Sequence, residues 1–68
     1  MRYAVVIERA DGNYSAYVPD LPGCVAVGAT IEETQVAIGE AIRCHLAGIR
    51  EDGDPIPDPA TVVDYVAA

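Results

Sequence analysis

The stretch YVPDLPGCVAVG, residues 17–28, decides how this chain of 68 residues folds. It places two prolines, an aspartate and a glycine between two apolar runs. Pro22 fixes φ, and Gly23 is free to adopt the left-handed conformation that a type II turn requires. The pattern predicts a turn between two strands. It leaves open whether the same loop is also a surface for a partner, or a catalytic or ligating site.

Two further segments extend this turn into a three-stranded sheet. The segment RYAVVIE, residues 2–8, is apolar at nearly every position, which is typical of a strand covered on both faces. Asp11, Gly12 and Asn13 have the residue types of a hairpin turn. We therefore predict an antiparallel meander with strands at 2–8, 14–19 and 24–28.

The second half of the chain changes to a helical period. Thr30 and Glu33 form a capping box that predicts a helix start, and Gly53 followed by Pro55 predicts its end near Asp52. The apolar stripe of this helix comprises Ile31, Ile38, Ala41, Ile42, His45, Leu46 and Ile49. Residues 53–59 form a proline-rich connector, and residues 60–66 are predicted to form a short fourth strand. The expected fold is α+β: a two-layer βββαβ arrangement with the long helix on one sheet face.

Charge narrows the classes of partner. Eleven acidic residues and four arginines give a formal net charge of −7, without any lysine. This balance disfavours nucleic-acid binding, which needs a basic patch, and favours a basic partner. No run approaches the roughly 20 apolar residues that span a bilayer. We expect a cytoplasmic protein, without membrane contact, whose two cysteines stay reduced.

From residue 1 to about residue 59 the sequence resembles the N-terminal domain of HicB antitoxins. The resemblance is carried by VPDLPGC at 18–24, GAT at 28–30, the glutamates that open the helix, and REDGDPIP at 50–57. It implies a truncated RNase H-like fold. It also implies a partner, HicA, a small basic toxin that cleaves RNA and whose active site HicB covers.

Many HicB proteins also carry a C-terminal DNA-binding segment. The 68 residues leave no room for one, so we expect a single domain over 1–68 and no direct contact with nucleic acid.

The candidate toxin-binding residues are acidic. We expect Asp20 and Leu21 to be exposed on the loop, with Asp20 competing for the place of an RNA phosphate in the toxin. Glu51, Asp52 and Asp54 at the helix end are further candidates for mimicking RNA charge. The alternatives are a loop that is only a turn and a helix end that is only solvated.

The sequence gives little support for a catalytic site or a metal site. His45 is the only histidine, and Cys24 and Cys44 lack the CxxC or HxxxH spacing of zinc sites. We therefore expect neither a metal nor another cofactor, and leave the roles of these three residues open. A degenerate RNase H-like nuclease would need several carboxylates to converge on metal ions, and the candidates are Glu8, Asp20 and Asp64. We expect a protein without enzymatic activity.

One helix can cover only one face of the sheet. Strand alternation places Val6, Tyr17, Val25 and Val27 on one face and Cys24 and Ala26 on the other. We expect the first set to form an oligomer interface, in a homodimer or a tetramer. Two functions follow: an antitoxin that occludes a small ribonuclease, or an orphan oligomeric scaffold without a toxin.

Overall fold

The fold is a three-stranded sheet with one long helix. A computed structural model describes residues 1–68 and contains β1 (Val6–Ala10), β2 (Asn13–Tyr17), β3 (Val25–Gly28) and α1 (Ile31–Asp52). The strands form one antiparallel sheet in the order β1-β2-β3. The predicted α+β class and the three-stranded meander are confirmed.

The first hairpin is tighter than predicted. Ala10 pairs with Asn13, so only two residues form the loop, and Gly12 has φ of 75°. β1 begins at Val6 rather than at residue 2, because Val6 pairs with Tyr17, the last residue of β2. Residues 2–5 therefore have no partner strand.

The loop between β2 and β3 is closed by three backbone hydrogen bonds. The amide of Leu21 donates to the carbonyl of Val18 at 3.1 Å, and the amide of Cys24 donates to the carbonyl of Leu21 at 3.0 Å. Val18 N–H donates to Cys24 C=O at 3.2 Å and closes the base. Pro22 and Gly23 occupy the centre of the second turn, and Gly23 has φ of 82°. The left-handed conformation predicted for Gly23 is confirmed.

Both ends of α1 are capped as predicted. Thr30 Oγ1 accepts from the amide of Glu33 at 3.0 Å, and the Glu33 carboxylate accepts from the amide of Ala29 at 3.1 Å. Gly53 has φ of 73°, and its amide donates to the carbonyl of Arg50 at 3.1 Å. The amide of Asp54 donates to the carbonyl of Ile49, also at 3.1 Å. These paired bonds form a Schellman motif, which satisfies carbonyls that the helix end leaves free.

The core lies between α1 and one sheet face. Its fully packed apolar residues are Ala16, Val18, Leu21, Cys24 and Ile38. Ala41, Ile42 and Leu46 of the predicted stripe pack against this cluster. Ile31 does not join them, because Thr34 takes the buried position nearest β3 and leaves Ile31 44% exposed.

The predicted fourth strand is wrong. Residues 60–66 form no strand, and the amides of Ala60 and Thr61 donate to the carboxylate of Asp20 instead of to a sheet. Strand propensity reflects packing on a pleated, half-buried surface, and this segment finds none within the chain.

Gly28 allows the sheet and the helix to meet closely. A Cβ atom at this position would lie 2.5 Å from Thr34 Oγ1 and 2.7 Å from the Thr34 backbone nitrogen. Thr34 is itself fully buried, and its hydroxyl donates to the carbonyl of Thr30 at 2.7 Å. It cannot yield without breaking the first turn of α1.

We expect Gly28→Ala to lower the free energy of unfolding by about 1–3 kcal/mol, the usual cost of overpacking a filled site. Gly48→Ala is the matched control, because nothing lies within 4 Å of a Cβ there and alanine favours a helix interior. It should leave stability unchanged or raise it by up to about 1 kcal/mol. Urea unfolding at one protein concentration measures both, and equal stabilities would contradict the close contact.

Candidate partner-binding surface

Asp20 joins the β2–β3 loop to the C-terminal segment. Its Oδ2 accepts from the backbone amides of Ala60 and Thr61, each at 3.1 Å. Its Oδ1 accepts from the hydroxyl of Thr61 at 2.9 Å. Hydrogen bonds to an ionised carboxylate are stronger than those between neutral groups. We call these three hydrogen bonds the tail anchor, because they hold Ala60 and Thr61 against the β2–β3 loop.

A second contact holds the same segment a few residues earlier. The hydroxyl of Tyr3 donates to the carbonyl of Pro57 at 2.6 Å. Residues 57–61 are thus attached at both ends. Residues 62–68, here called the tail, are exposed beyond the anchor.

The tail anchor perturbs the titration of Asp20. The hydrogen bond from the Thr61 amide is the largest cause, and it lowers the pKa of Asp20 below its ordinary value. Desolvation opposes this effect, while the Thr61 hydroxyl and the Ala60 amide add to it. The anchored state therefore favours the ionised carboxylate.

Leu21 is not the exposed residue that the sequence predicted. Its side chain is 0% exposed and belongs to the core cluster with Val18 and Cys24. The reason is that the two turns of the loop direct this residue inward. The expectation of an exposed Leu21 is wrong, and Leu21 is no longer a candidate for contact with a partner.

The three acidic candidates at the helix end, Glu51, Asp52 and Asp54, are all exposed. We call them the helix-end acids. No hydrogen bond ties any of their carboxylates to the protein, whereas both oxygens of Asp20 accept from the anchor. Among the four acidic candidates, the helix-end acids have free carboxylates, whereas the carboxylate of Asp20 is bound within the chain.

The remaining titratable candidates do not form a site. No group of three His, Cys, Asp or Glu side chains lies close enough to hold a metal ion. Glu8 lies on β1, Asp20 in the loop and Asp64 in the tail, so the structure does not gather the nuclease candidates.

The cysteines and the histidine differ in their surroundings. Cys24 is buried, and burial is the main cause that raises the pKa of its thiol. Cys44 is exposed, and His45 is half-buried on α1. Both thiols are free.

The sheet face opposite α1 carries the four predicted interface residues. Val6, Tyr17 and Val25 stand side by side in register across the three strands. Val27 lies one step further along β3 on the same side. We call these four residues the apolar sheet face. The alternate residues, such as Ala16 and Ala26, pack toward the core.

Sequence reasoning missed the groups that complete the tail anchor. Ala60 and Thr61 lie 40 and 41 residues after Asp20, and no local pattern marks such a contact. Thr34 was missed as well, because a threonine on an apolar stripe has no distinctive signal.

The one helix of the structure, α1, is not long and apolar enough to cross a membrane.

A family model for the HicB-like antitoxins of bacterial toxin-antitoxin systems matches residues 3–68. The chain belongs to this HicB-like antitoxin family. The fold is also similar to that of a solved structure: a chain of a HicA3 and HicB3 toxin-antitoxin complex superposes with a TM-score of 0.75 at 27% identity. That match covers 88% of this chain and 70% of the other.

Curated relatives come from a phage, from bacteria and from archaea. An uncharacterised 14.9 kDa protein of Haemophilus phage HP1 is 35% identical over 97% of this chain, and a UPF0150 protein of Thermoplasma acidophilum is 40% identical over 84%. The HicB-like chain spans 50% of the phage protein and 84% of the archaeal one.

Truncating Leu21 tests the role of the loop in the core. We expect Leu21→Ala to cost about 2–5 kcal/mol, the range for buried leucines, which is a large share of the stability of so small a domain. Val36→Ala, at a residue 63% exposed on α1, should change stability by about 0.5 kcal/mol or less. Denaturant unfolding followed by circular dichroism distinguishes the two, and a tolerated Leu21→Ala would show that the loop packs differently.

The pH dependence of the tail anchor follows from the lowered pKa of Asp20. Because the folded pKa lies below the unfolded one, the contribution of the anchor is complete above the ordinary aspartate pKa of about 3.9. It is lost as the pH falls through the lower, folded value. The amide resonances of Ala60 and Thr61 should therefore report release of the tail with a midpoint below about 3.9.

Two variants check that this transition belongs to the anchor. Asp20→Ala should release both amides at neutral pH, since it removes every acceptor. Thr61→Val should keep them bound, because it removes only the hydroxyl bond and leaves the two amide bonds. Unchanged amide resonances in Asp20→Ala would contradict the anchor.

Proposed function

We propose that this chain is an antitoxin that binds a small basic HicA-like ribonuclease toxin and covers its active site. The observation that carries the proposal is the backbone likeness to a chain of a toxin-antitoxin complex, together with the family match over almost the whole sequence. Covering an active site needs surface and charge but no catalytic group. A role without enzymatic activity is therefore part of the proposal.

The charge of the chain supports a basic partner. A net charge of −7 on 68 residues attracts a positively charged surface and speeds encounter. A ribonuclease must hold phosphates, so its active site offers cationic groups. Carboxylates presented to that site would compete with RNA for them.

The helix-end acids suit this competition better than Asp20 does. Their carboxylates are exposed and accept no hydrogen bond from any side chain or amide, so a partner meets no internal competitor. Asp20 would reach a toxin only if the tail anchor opened, because its oxygens already accept three bonds. We therefore assign direct toxin contact to Glu51, Asp52 and Asp54, and assign Asp20 the role of positioning the segment beside them.

Neutralising the helix-end acids tests the proposal. The variant Glu51→Gln/Asp52→Asn/Asp54→Asn should weaken binding to a small basic HicA-like toxin about tenfold or more, as expected for several interfacial charge pairs. Binding and inhibition of RNA cleavage are measured on the purified pair at two salt concentrations. The affinity of the unchanged chain should fall as salt rises, and that of the variant should fall less.

A second triple variant controls for net charge. Asp11→Asn/Glu32→Gln/Glu40→Gln removes the same number of charges from exposed positions elsewhere. It should retain most of the affinity. Equal losses in both variants would mean that net charge, and no particular surface, attracts the toxin. Absence of any complex with a folded chain would favour the orphan scaffold.

A further inference from the structure

The two cysteines are the reactive side chains that the proposed function does not use. Cys24 is buried in the core cluster immediately before β3, and Cys44 is exposed on α1. Both thiols are free. The two residues are far apart in sequence, so the distance between their sulfur atoms depends on how α1 packs on β3.

The side chain of Cys24 faces the helix. Alternate side chains of a strand point to the same face, so Cys24 shares the face of Ala26 and Gly28. That face meets α1, because a Cβ atom at Gly28 would lie 2.5 Å from Thr34 Oγ1. The amide of Val18 donates to the carbonyl of Cys24 and continues the pairing of β2 with β3 as far as this cysteine. Its side chain is accordingly only 3% exposed.

The lengths of the strand and of the helix bring Cys44 level with Cys24. Because α1 follows β3 after a short loop and packs on it, the helix runs back along the strand. From Gly28 back to Cys24 the strand spans about 13 Å, at about 3.3 Å per residue. Counted from Thr34, the residue opposite Gly28, the same distance at about 1.5 Å per residue takes about nine residues and ends next to Cys44.

The rotation of α1 turns Cys44 toward the β3 edge of the sheet. The strand order β1-β2-β3 puts β1 and β3 at opposite edges. On the β1 side, Ile7 lines a groove together with Gln35 and Gly39 of α1. At 3.6 residues per turn, Cys44 lies about 180° around the helix from Gln35, and therefore on the side of Cys24. Burial is the main cause that raises the pKa of the Cys24 thiol, and the charge of Cys44 adds to it, as expected of thiols that lie close together.

We propose that Cys24 and Cys44 form a reversible oxidation site, at which a hydroperoxide converts the two thiols into an intrachain disulfide between the β2–β3 loop and α1. Cys44 reacts first, because it is the exposed thiol. Its thiolate attacks one peroxide oxygen and the O–O bond breaks. The sulfur becomes a sulfenic acid, and the other oxygen leaves as water or an alcohol with the proton that the thiol released.

Cys24 is the resolving thiol of this site. Its sulfur attacks the sulfenic sulfur of Cys44, the S–S bond forms and the S–O bond breaks. The hydroxide leaves as water with the proton of Cys24. Together the two sulfur atoms lose two electrons, which the hydroperoxide gains. Burial protects Cys24 from direct oxidation and leaves it to react with its neighbour.

The disulfide would be conditional and not a permanent part of the fold. One of its sulfur atoms, that of Cys44, remains accessible to an attacking thiolate, so a thiol reductant can open the bond again. While closed, it would tie the loop that carries Asp20 to the helix that ends in the helix-end acids. It would also restrict the unfolded chain, which stabilises the folded one.

Intact mass and tryptic peptides of the purified chain test the site, without any toxin present. In a small excess of hydrogen peroxide the chain should lose two hydrogen atoms in mass, form no covalent dimer, and regain both atoms in dithiothreitol. Trypsin cleaves after arginine, and Arg43 separates the two cysteines. Residues 10–43 and 44–50 should therefore be recovered as one disulfide-linked pair. The oxidised chain should unfold at a higher urea concentration than the reduced chain.

Three variants distinguish a paired site from two independent thiols. Cys44→Ser should slow the loss of the Cys24 thiol at least tenfold, since the buried sulfur then has no exposed neighbour. Cys24→Ala should accumulate the sulfenic acid of Cys44, which dimedone traps. Cys44→Ser/Val36→Cys is the matched control, because Val36 is 63% exposed on α1 and the variant returns one exposed thiol to the same helix. It should form no link to Cys24.

Several results would overturn the proposal. These are thiols that stay reduced in peroxide, a disulfide that joins two copies of Cys44, or oxidation of Cys44 that stops short of a disulfide in the unchanged chain. Equally fast loss of the Cys24 thiol with and without Cys44 would overturn it as well. A link formed equally well from position 36 would show that pairing does not depend on the packing of α1 on β3.

Discussion

The three backbone hydrogen bonds that close the loop from Val18 to Cys24 are the constraint on which the rest of the structure depends. They fold seven residues into two successive turns, and the second turn works because Pro22 and Gly23 supply its two φ values. As a consequence, the neighbouring residues Asp20 and Leu21 have different roles. Leu21 is turned completely into the core, while the carboxylate of Asp20 remains outside and binds the C-terminal segment. One loop therefore contributes a residue to the core and holds the segment from which the tail begins.

The second constraint is the close approach of β3 and α1 at Gly28. Because the helix starts only three residues later, its N-terminal turn is pressed against the end of the strand, and Thr34 fills the contact. The 22-residue helix then runs over one face of a sheet with strands of only four or five residues. Residues 1–68 form no second helix or sheet on the other face. The apolar sheet face is thus exposed because of the topology of these residues, and not because of one local stretch of sequence.

Local signals in the sequence predicted what local physics determines. The capping box at Thr30, the stop at Gly53 and the turn at Gly23 depend on residues within a few positions of each other, and all three are confirmed. The failures are non-local. Leu21 looks exposed beside Asp20 in a proline-rich loop, and only the tertiary fold turns it inward. The tail anchor joins residues about 40 positions apart, so the strand-like segment after it was given a sheet partner that the chain does not have.

Two surfaces of opposite chemistry therefore lie at different places on one small domain. The helix-end acids are charged and salt-sensitive, so they suit an encounter with a basic protein. The apolar sheet face is uncharged in its central row and suits a permanent, salt-insensitive contact. The acids lie at the C-terminal end of α1, whereas the apolar sheet face lies on the side of the sheet that α1 leaves uncovered. The two surfaces therefore differ in their response to salt, since screening weakens contacts between exposed charges and not the burial of apolar side chains.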